Sequence, residues 1–233
     1  MPRRSAPLSS RATLRDRAYD GVRDLLIGGQ LAPGERLSVR ELAASLDVSP
    51  MPVREAVHRL VAEHALEVRP QSAVRVPLMT KQRFGELRTI RVALEGMAAS
   101  RAATLATSAE LQRIREHHER FRRAAQRDRP DPAVVIRANQ QLHFEIYRSA
   151  RMPALLELIE SLWLQIGPVL NLDLRTSPQR LHALAAHDHH AKLVAALQQH
   201  DARGARRALT ADIETAAAYI LSLRQLPETD ATP

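Results

Sequence analysis

The sequence predicts a mainly α chain in two parts: an N-terminal winged helix-turn-helix, three helices plus a small β-wing, followed by an all-α helical bundle. Three observations carry this. Residues 35–60 read as a short helix, a tight turn and a second helix; a short β-leaning run follows over 66–76; and from Thr80 onward every segment is helical in pattern, with Pro, Asp and Ser at the connections. The expected boundaries are a tail over residues 1–12, the winged helix over 13–76 and the bundle over 80–225.

The first helix, Thr13 to Gly28, buries Ala18, Val22, Leu25 and Leu26 and stops at Gly28-Gly29. The second opens at Ser38, an N-cap residue with Glu41 three positions on to complete a capping box, and buries Leu42, Ala43 and Leu46. Asp47-Val48 makes the turn. Ser49 is expected to cap the third helix, with Pro50 at the first helical position, where no amide hydrogen is needed. Val53, Val57 and Leu60 point inward at helical spacing, which leaves Ser49, Met51, Arg54 and His58 on the outer side. That arrangement lays a second helix in a DNA major groove. An ordinary helical hairpin has the same outline, so the pattern alone leaves both readings open. Two runs around Pro70-Gln71-Ser72 supply the wing.

In the bundle, helix four spans Thr80 to Leu105, and Thr107 with Glu110 forms the capping box of helix five, which ends near Pro130. Asp131-Pro132, Met152-Pro153 and Ser177-Pro178 start the next three helices, and Asp201 caps the last. Strands are expected in the wing only.

Composition narrows the class. The 233 residues allow one small and one medium domain, and the absence of Cys removes disulfides and thiolate metal sites. The Arg-, Ser- and Pro-rich start is no signal peptide, and no stretch reads as a bilayer-crossing segment, so a cytoplasmic, nucleoid-associated protein is expected. The net charge of +8 suits a polyanion, yet it is spread out: residues 1–76 hold 12 Arg against 9 acidic residues.

Polar residues interrupt three apolar stripes of the bundle. On helix six, Asn139 and His143 share the face of Val135, Leu142 and Ile146; on helix eight, His190 lies with His187, Val194 and Leu197; on the last helix, Asp212 falls among Ala205, Ala208, Ala216 and Tyr219. Buried polar groups need partners, which can be one another, water, or a divalent metal that satisfies several at once.

The string Leu37-Ser38 … Glu41-Leu42-Ala43 … Leu46 … Val48-Ser49 … Pro52-Val53-Arg54-Glu55-Ala56-Val57 … Leu60, preceded by Leu31-Ala32-Pro33-Gly34-Glu35, resembles the winged helix-turn-helix of the GntR family of bacterial transcription regulators. Arg91 … Leu94-Glu95 … Ala98, His143-Phe144, and His190 with Asp201 resemble the FCD effector domain of its FadR-type subfamily. The resemblance implies a homodimeric regulator, most often a repressor, that binds a double-stranded operator and a small organic-acid effector. DNA contacts are then expected from Ser38, Arg40, Ser49, Met51, Pro52 and Arg54, with Arg69, Gln71 and Arg75 on the wing. It also implies a divalent metal, Zn, Ni or Mn, at Asn139, His143, His190 and Asp212, with His187 as a substitute ligand. Arg88, Arg91 and Arg137 are the candidate forks for an anionic effector, Arg91 equally a partner for Glu95.

The chain departs from the family at four places: Pro50 stands where Arg is usual, Ser72-Ala73 where a wing-tip Gly is common, Asn139 where an Asp is expected, and Asp212 where a His is expected. Two other classes stay open at this point. One is a metal-dependent hydrolase on the His143, His190 and Asp212 set, though the chain has no His-Glu-x-x-His helix. The other is an all-α scaffold with no ligand.

Overall fold

The computed structural model describes residues 13–69, 73–170 and 186–228. Among them are nine helices and one three-stranded sheet.

Helix α1 (Leu14–Ile27) opens at Thr13, whose hydroxyl and amide both bond Asp16 in a full capping box, and its Ala18, Val22, Leu26 and Ile27 are buried. Helix α2 (Val39–Ser45) opens at Ser38, which accepts from the Glu41 amide at 3.3 Å, but the Glu41 carboxylate makes no return bond, so only half of the expected box forms. Asp47 turns the chain at φ 51, a left-handed conformation that Asp tolerates better than most residues. Helix α3 (Pro50–Ala62) packs against α1 through buried Val53, Ala56, Val57 and Leu60. Ser49 has the extended backbone of an N-cap but makes no cap bond, contrary to expectation. The reason lies in the sequence: the residue at the third helical position is Pro52, which has no amide hydrogen to donate.

The wing carries a strand that the sequence reading missed. Strands β1 (Arg36–Leu37), β2 (Glu67–Arg69) and β3 (Ala73–Arg75) lie in the order β1-β3-β2, all antiparallel, with Val74 opposite both Leu37 and Val68. Two residues are too few to show alternation, and β1 is held from outside itself. Gly34 turns at φ 80 and donates to the Val76 carbonyl at 2.9 Å, while the Val76 amide donates to Glu35 at 3.0 Å.

The bundle follows: α4 (Lys81–Leu105), α5 (Ser108–Ala125), α6 (Pro132–Ser149), α7 (Pro153–Leu170), α8 (Ala186–Gln198) and α9 (Ala202–Ser222). Thr107, Asp131 and Asp201 cap their helices as read from the sequence, and Thr80 caps α4; the expected start of a helix at Ser177-Pro178 lies outside the described residues. Helix α4 is the central post. Its Ala98, Ala99, Ala102 and Ala103 are all buried, small enough for close approach, and it packs on α6, α7, α8 and α9. The stripe of α9 runs through Ala205, Ala208, Leu209, Ile213, Ala217 and Ile220, so Ala216 is exposed rather than inward. Asp212 sits at the edge of that stripe.

Helix α7 corrects another expectation. Its 18 residues have a mean hydropathy of 1.2, long and apolar enough to cross a bilayer by composition, but half of that segment is buried within the fold. Its Leu155, Ile159, Leu162, Trp163 and Ile166 serve the core.

Helix α7 also joins the two parts. A single buried cluster runs from Leu26 and Ile27 of α1 to Ile159 and Trp163 of α7, and Arg23 pairs with Glu160 at 3.4 Å. Gly167 lies against the end of α1 so closely that a Cβ there would sit 2.8 Å from both the Ile27 Cα and the Leu26 carbonyl oxygen. Both are backbone atoms, which cannot swing aside. Gly167→Ala is therefore expected to push α1 off α7 at a cost of about 1–3 kcal/mol. Hydrogen exchange of the α1 amides checks it: exchange should rise in Leu26 to Gly28 while the α9 amides keep wild-type rates.

Candidate functional site

Two sites emerge, one on each part. On the winged helix, α3 turns Val53, Ala56, Val57 and Leu60 inward, and the opposite side carries exposed Ser49, Met51, Arg54 and His58. Arg54 makes no ion pair with any described residue, and Met51 is 66% exposed. Arg40 is exposed near the start of α2; Ser38 is occupied as its cap; Pro52 is half-buried. By contrast Arg59, on the same helix, is committed: it bonds Glu63 at 3.0 Å and lies over the Tyr19 ring, 3.7 Å from its centre. The free and the committed arginines of α3 are thus distinguished by geometry.

On the wing, the expected contacts fare unequally. Arg75 is mostly buried and pairs with Glu67, so it braces the β2–β3 ladder, with one guanidinium nitrogen buried and unpartnered. Arg69 also bonds Glu67, at 3.0 Å, and keeps 43% of its side chain exposed. Burial raises the Glu67 carboxyl, but the bonds from Arg75 and Arg69 more than reverse this and hold it below its ordinary value. Gln71 lies outside the described residues.

The second site is inside the bundle. His143 of α6, His190 of α8 and Asp212 of α9 bring one ligand atom each to within 4.8 Å of one another. The two imidazole Nε2 atoms face each other at 3.1 Å, and the Asp212 oxygens lie 3.5 Å from His143 Nε2 and 3.7 Å from His190 Nε2. Two ligands of a tetrahedral zinc, each about 2.1 Å from the ion, stand roughly 3.4 Å apart. The donor set of two imidazoles and one carboxylate is one that Zn, Ni and Mn accept. Both histidines are buried, and Asp212 is 14% exposed, so the set has one side towards solvent. Asn139, the fourth expected ligand, lies one turn before His143, half-buried and bonded to none of the described residues through its side chain. The side chain of His187 lies outside the described residues.

Behind His143 stands a bonded chain of which the sequence reading anticipated only the Arg91–Glu95 pair. The His143 Nδ1 is 2.9 Å from the Tyr147 hydroxyl, which donates to Glu95, and Arg91 grips Glu95 through Nε at 2.6 Å and an Nη at 3.3 Å. Since the hydroxyl hydrogen goes to the carboxylate, the hydroxyl oxygen accepts from His143. Nδ1 therefore carries the imidazole proton, and the Nε2 lone pair is aimed at His190 and Asp212. One signal could have exposed Tyr147: it lies four residues after His143 on the same helical face, and a buried tyrosine needs a partner for its hydroxyl. Trp163 of α7 closes the site, 5.5 Å from the His143 ring and 5.3 Å from the Arg91 guanidinium, and Phe121 of α5 lies 4.7 Å from His190.

Electrostatics agree with a neutral imidazole. Burial pushes His143 down to about 3, despite the opposing charge of Asp212. Burial alone would raise Asp212, but the facing His190 outweighs it and holds the carboxyl at about 2. A folded His143 that stays neutral makes the unfolded chain the better proton acceptor below its ordinary value of 6.5. Stability of the metal-free protein should therefore fall as pH drops from about 6.5 towards 3, by up to about 1.4 kcal/mol per unit. Thermal melts between pH 7 and pH 5 check this, and His143→Gln should flatten the dependence.

The expected effector forks do not gather at this site. Arg91 is buried and engaged by Glu95, Arg88 pairs with Glu214 at 3.5 Å, and Arg137 is exposed almost two turns before His143 on α6, in a different cleft. Periodicity placed these residues on the right helices and offered Glu95 for Arg91, but could not say that Arg88 was already paired.

Comparison with known proteins assigns a family model to each of the two parts. Residues 14–76 match the model of bacterial regulatory proteins of the gntR family, and residues 86–215 match that of the FCD domain. The chain is 37% identical to the HTH-type transcriptional regulator McbR of Escherichia coli K12 over 182 residues, 78% of this chain and 80% of that one. It is 28% identical to the HTH-type transcriptional repressor RspR of the same organism over 199 residues, 84% and 83% of the two chains. Among solved structures, E. coli McbR/YncC superposes with a TM-score of 0.84 at 32% identity, covering 91% of this chain and 99% of that one. A GntR regulator of Rhodococcus sp. RHA1 gives 0.71 at 25% identity, covering 89% and 97%. An N-terminal winged helix with one face of free side chains, joined to an FCD bundle, places this chain in the GntR family of bacterial regulatory proteins.

Proposed function

We propose that this protein is a DNA-binding transcription repressor whose operator affinity is set by a small organic acid held in the bundle beside a divalent metal. The observation that carries the first half is the outer face of α3, where Met51 and Arg54 are exposed and Arg54 pairs with nothing described; Arg40 of α2 is exposed as well. Arg54 reads a guanine edge or a phosphate, Arg40 and Ser49 fix the helix on the backbone, and Arg69 reaches the neighbouring groove. Two chains form a homodimer that binds half-sites of an imperfect palindrome about one helical turn apart or less.

Within the bundle, His143, His190 and Asp212 hold the metal, with Asn139 as the fourth protein donor. When bound, the ion supplies a cationic centre for a carboxylate. Tyr147 and Glu95 keep the His143 lone pair on the site, and Trp163 and Phe121 exclude water from its walls. With Arg91 and Arg88 already paired, the metal takes the role that free arginines would have in an anion site. Elemental analysis of protein purified without chelator should find one equivalent of Zn, Ni or Mn, reduced by more than half in His190→Ala. Added metal at about a hundredfold its Kd should stabilise metal-depleted wild type by about 2.7 kcal/mol.

The regulatory reading is tested by selecting and sequencing genomic fragments bound by the full-length protein, with Arg54→Ala in parallel. A palindromic site recovered by the wild type and lost in the variant supports it. Equal recovery by both proteins, or none by either, overturns it.

A further inference from the structure

A cleft of about 400 Å³ lies where the two parts meet, outside the His143 cluster. The end of α1 supplies Arg23 and Asp24 to one wall; α5 and α6 supply His117, Arg137, Phe144 and Arg148 to the others. Its size is that of a small-ligand site. Its charge is unbalanced. Its lining holds three guanidinium groups and one carboxylate; Arg23 is paired with Glu160 behind the wall at 3.4 Å, but Arg137 pairs with no described residue and Arg148 comes only within 4.0 Å of Glu145. Both are exposed, and Arg148 lies over the Phe144 ring, 5.8 Å from its centre. A second observation is independent of that charge: the Nδ1 atom of His117 is buried and has no hydrogen-bond partner. Burial first, and then nearby Arg120, hold this imidazole below its ordinary value, so it is a neutral donor or acceptor rather than another cation.

We infer that this junction cleft is a second ligand site, which takes a small dianion carrying carboxylate or phosphate groups. Arg137 and Arg148 clamp the anion from α6, Arg23 meets it from α1, and the orphaned His117 nitrogen completes the polar wall. Gathering the three arginines costs electrostatic energy that an anion removes. Because α1 belongs to the winged helix and α5 and α6 to the bundle, the ligand favours the docked arrangement of the two parts to the extent that it binds that arrangement better. The site requires neither a metal nor His143.

The test uses full-length, metal-depleted protein at constant ionic strength and titrates succinate and inorganic phosphate separately by calorimetry. Saturable binding of one of them, with one site per chain, is expected. Arg137→Ala/Arg148→Ala should weaken it at least tenfold, while His143→Ala and Arg203→Ala, an exposed site elsewhere, leave it within twofold. Succinate alone binding marks a carboxylate ligand, and phosphate alone a phosphate ester; either result supports the site. Neither anion binding, equal loss in Arg203→Ala, or full retention in the double variant overturns it. Loss in His143→Ala would move the anion to the bundle site and also overturn this inference, without touching DNA recognition.

Discussion

Arg54→Ala is expected to weaken operator binding by about 1–3 kcal/mol, roughly 5- to 150-fold, with little change in thermal stability. Of the arginines on α3, Arg59 is held by Glu63 and Tyr19, whereas Arg54 is exposed and unpaired among the described residues. Removing it leaves no buried partner behind, so the fold has nothing to lose. Arg59→Ala is the complementary control: it should disturb the α1–α3 contact more than DNA binding. If Arg54 reads a base, the loss is confined to sequences that keep that base; if it holds a phosphate, binding weakens on all sequences and the salt slope falls by about one. A fluorescence titration on the selected operator and on one-base variants separates the two.

Glu95→Ala is expected to be the most damaging single change in the bundle, destabilising it by about 3–5 kcal/mol. Glu95 is fully buried and is the carboxylate bonded to Arg91, itself 5% exposed. Without it, a guanidinium stays in the core with no carboxylate bonded to it, over the Trp163 ring. The Tyr147 hydroxyl also loses the acceptor that fixes its hydrogen, and with it the reason for His143 to present Nε2 to the site. Two readouts keep these effects apart. Thermal melts follow the unpaired charge; Tyr147→Phe leaves the Arg91–Glu95 pair intact and should lower metal affinity about 10- to 100-fold, as loss of a partner behind a ligand does.

Much of the fold was legible because caps and breakers are local. Thr13 with Asp16, Thr107 with Glu110, Asp131-Pro132 and Asp201 act through residues within one turn, and each begins its helix as read. What escaped depends on distant partners. Strand β1 exists because Val74 and Val76 lie beside it, and the inward set of α9 was misjudged by one residue at Ala216, which sits next to buried Ala217. Ser49 shows a local rule cancelled by another local fact, the prolines after it. The site divides similarly. His143, His190 and Asp212 converge as their stripes suggested, since a polar residue on an apolar face has few places to go. The Arg91–Glu95 pair was legible as an i,i+4 spacing, whereas the pairing states of Arg75 and Arg88 had no such signature, because each is decided by a carboxylate on a facing strand or helix.

Coupling between the bundle and the DNA-binding part runs through α7, which packs against both. Trp163 packs on His143, and four residues on, Gly167 abuts the backbone of α1. A ligand shifts DNA affinity only if it favours one setting of that contact over the other. The direct measurement is operator affinity of wild type and His143→Ala, each metal-depleted and metal-loaded. The two wild-type curves should differ by at least fivefold, the lower end of ordinary coupling energies, and those of His143→Ala should coincide. Superimposable wild-type curves, with metal shown to be bound, would contradict the account.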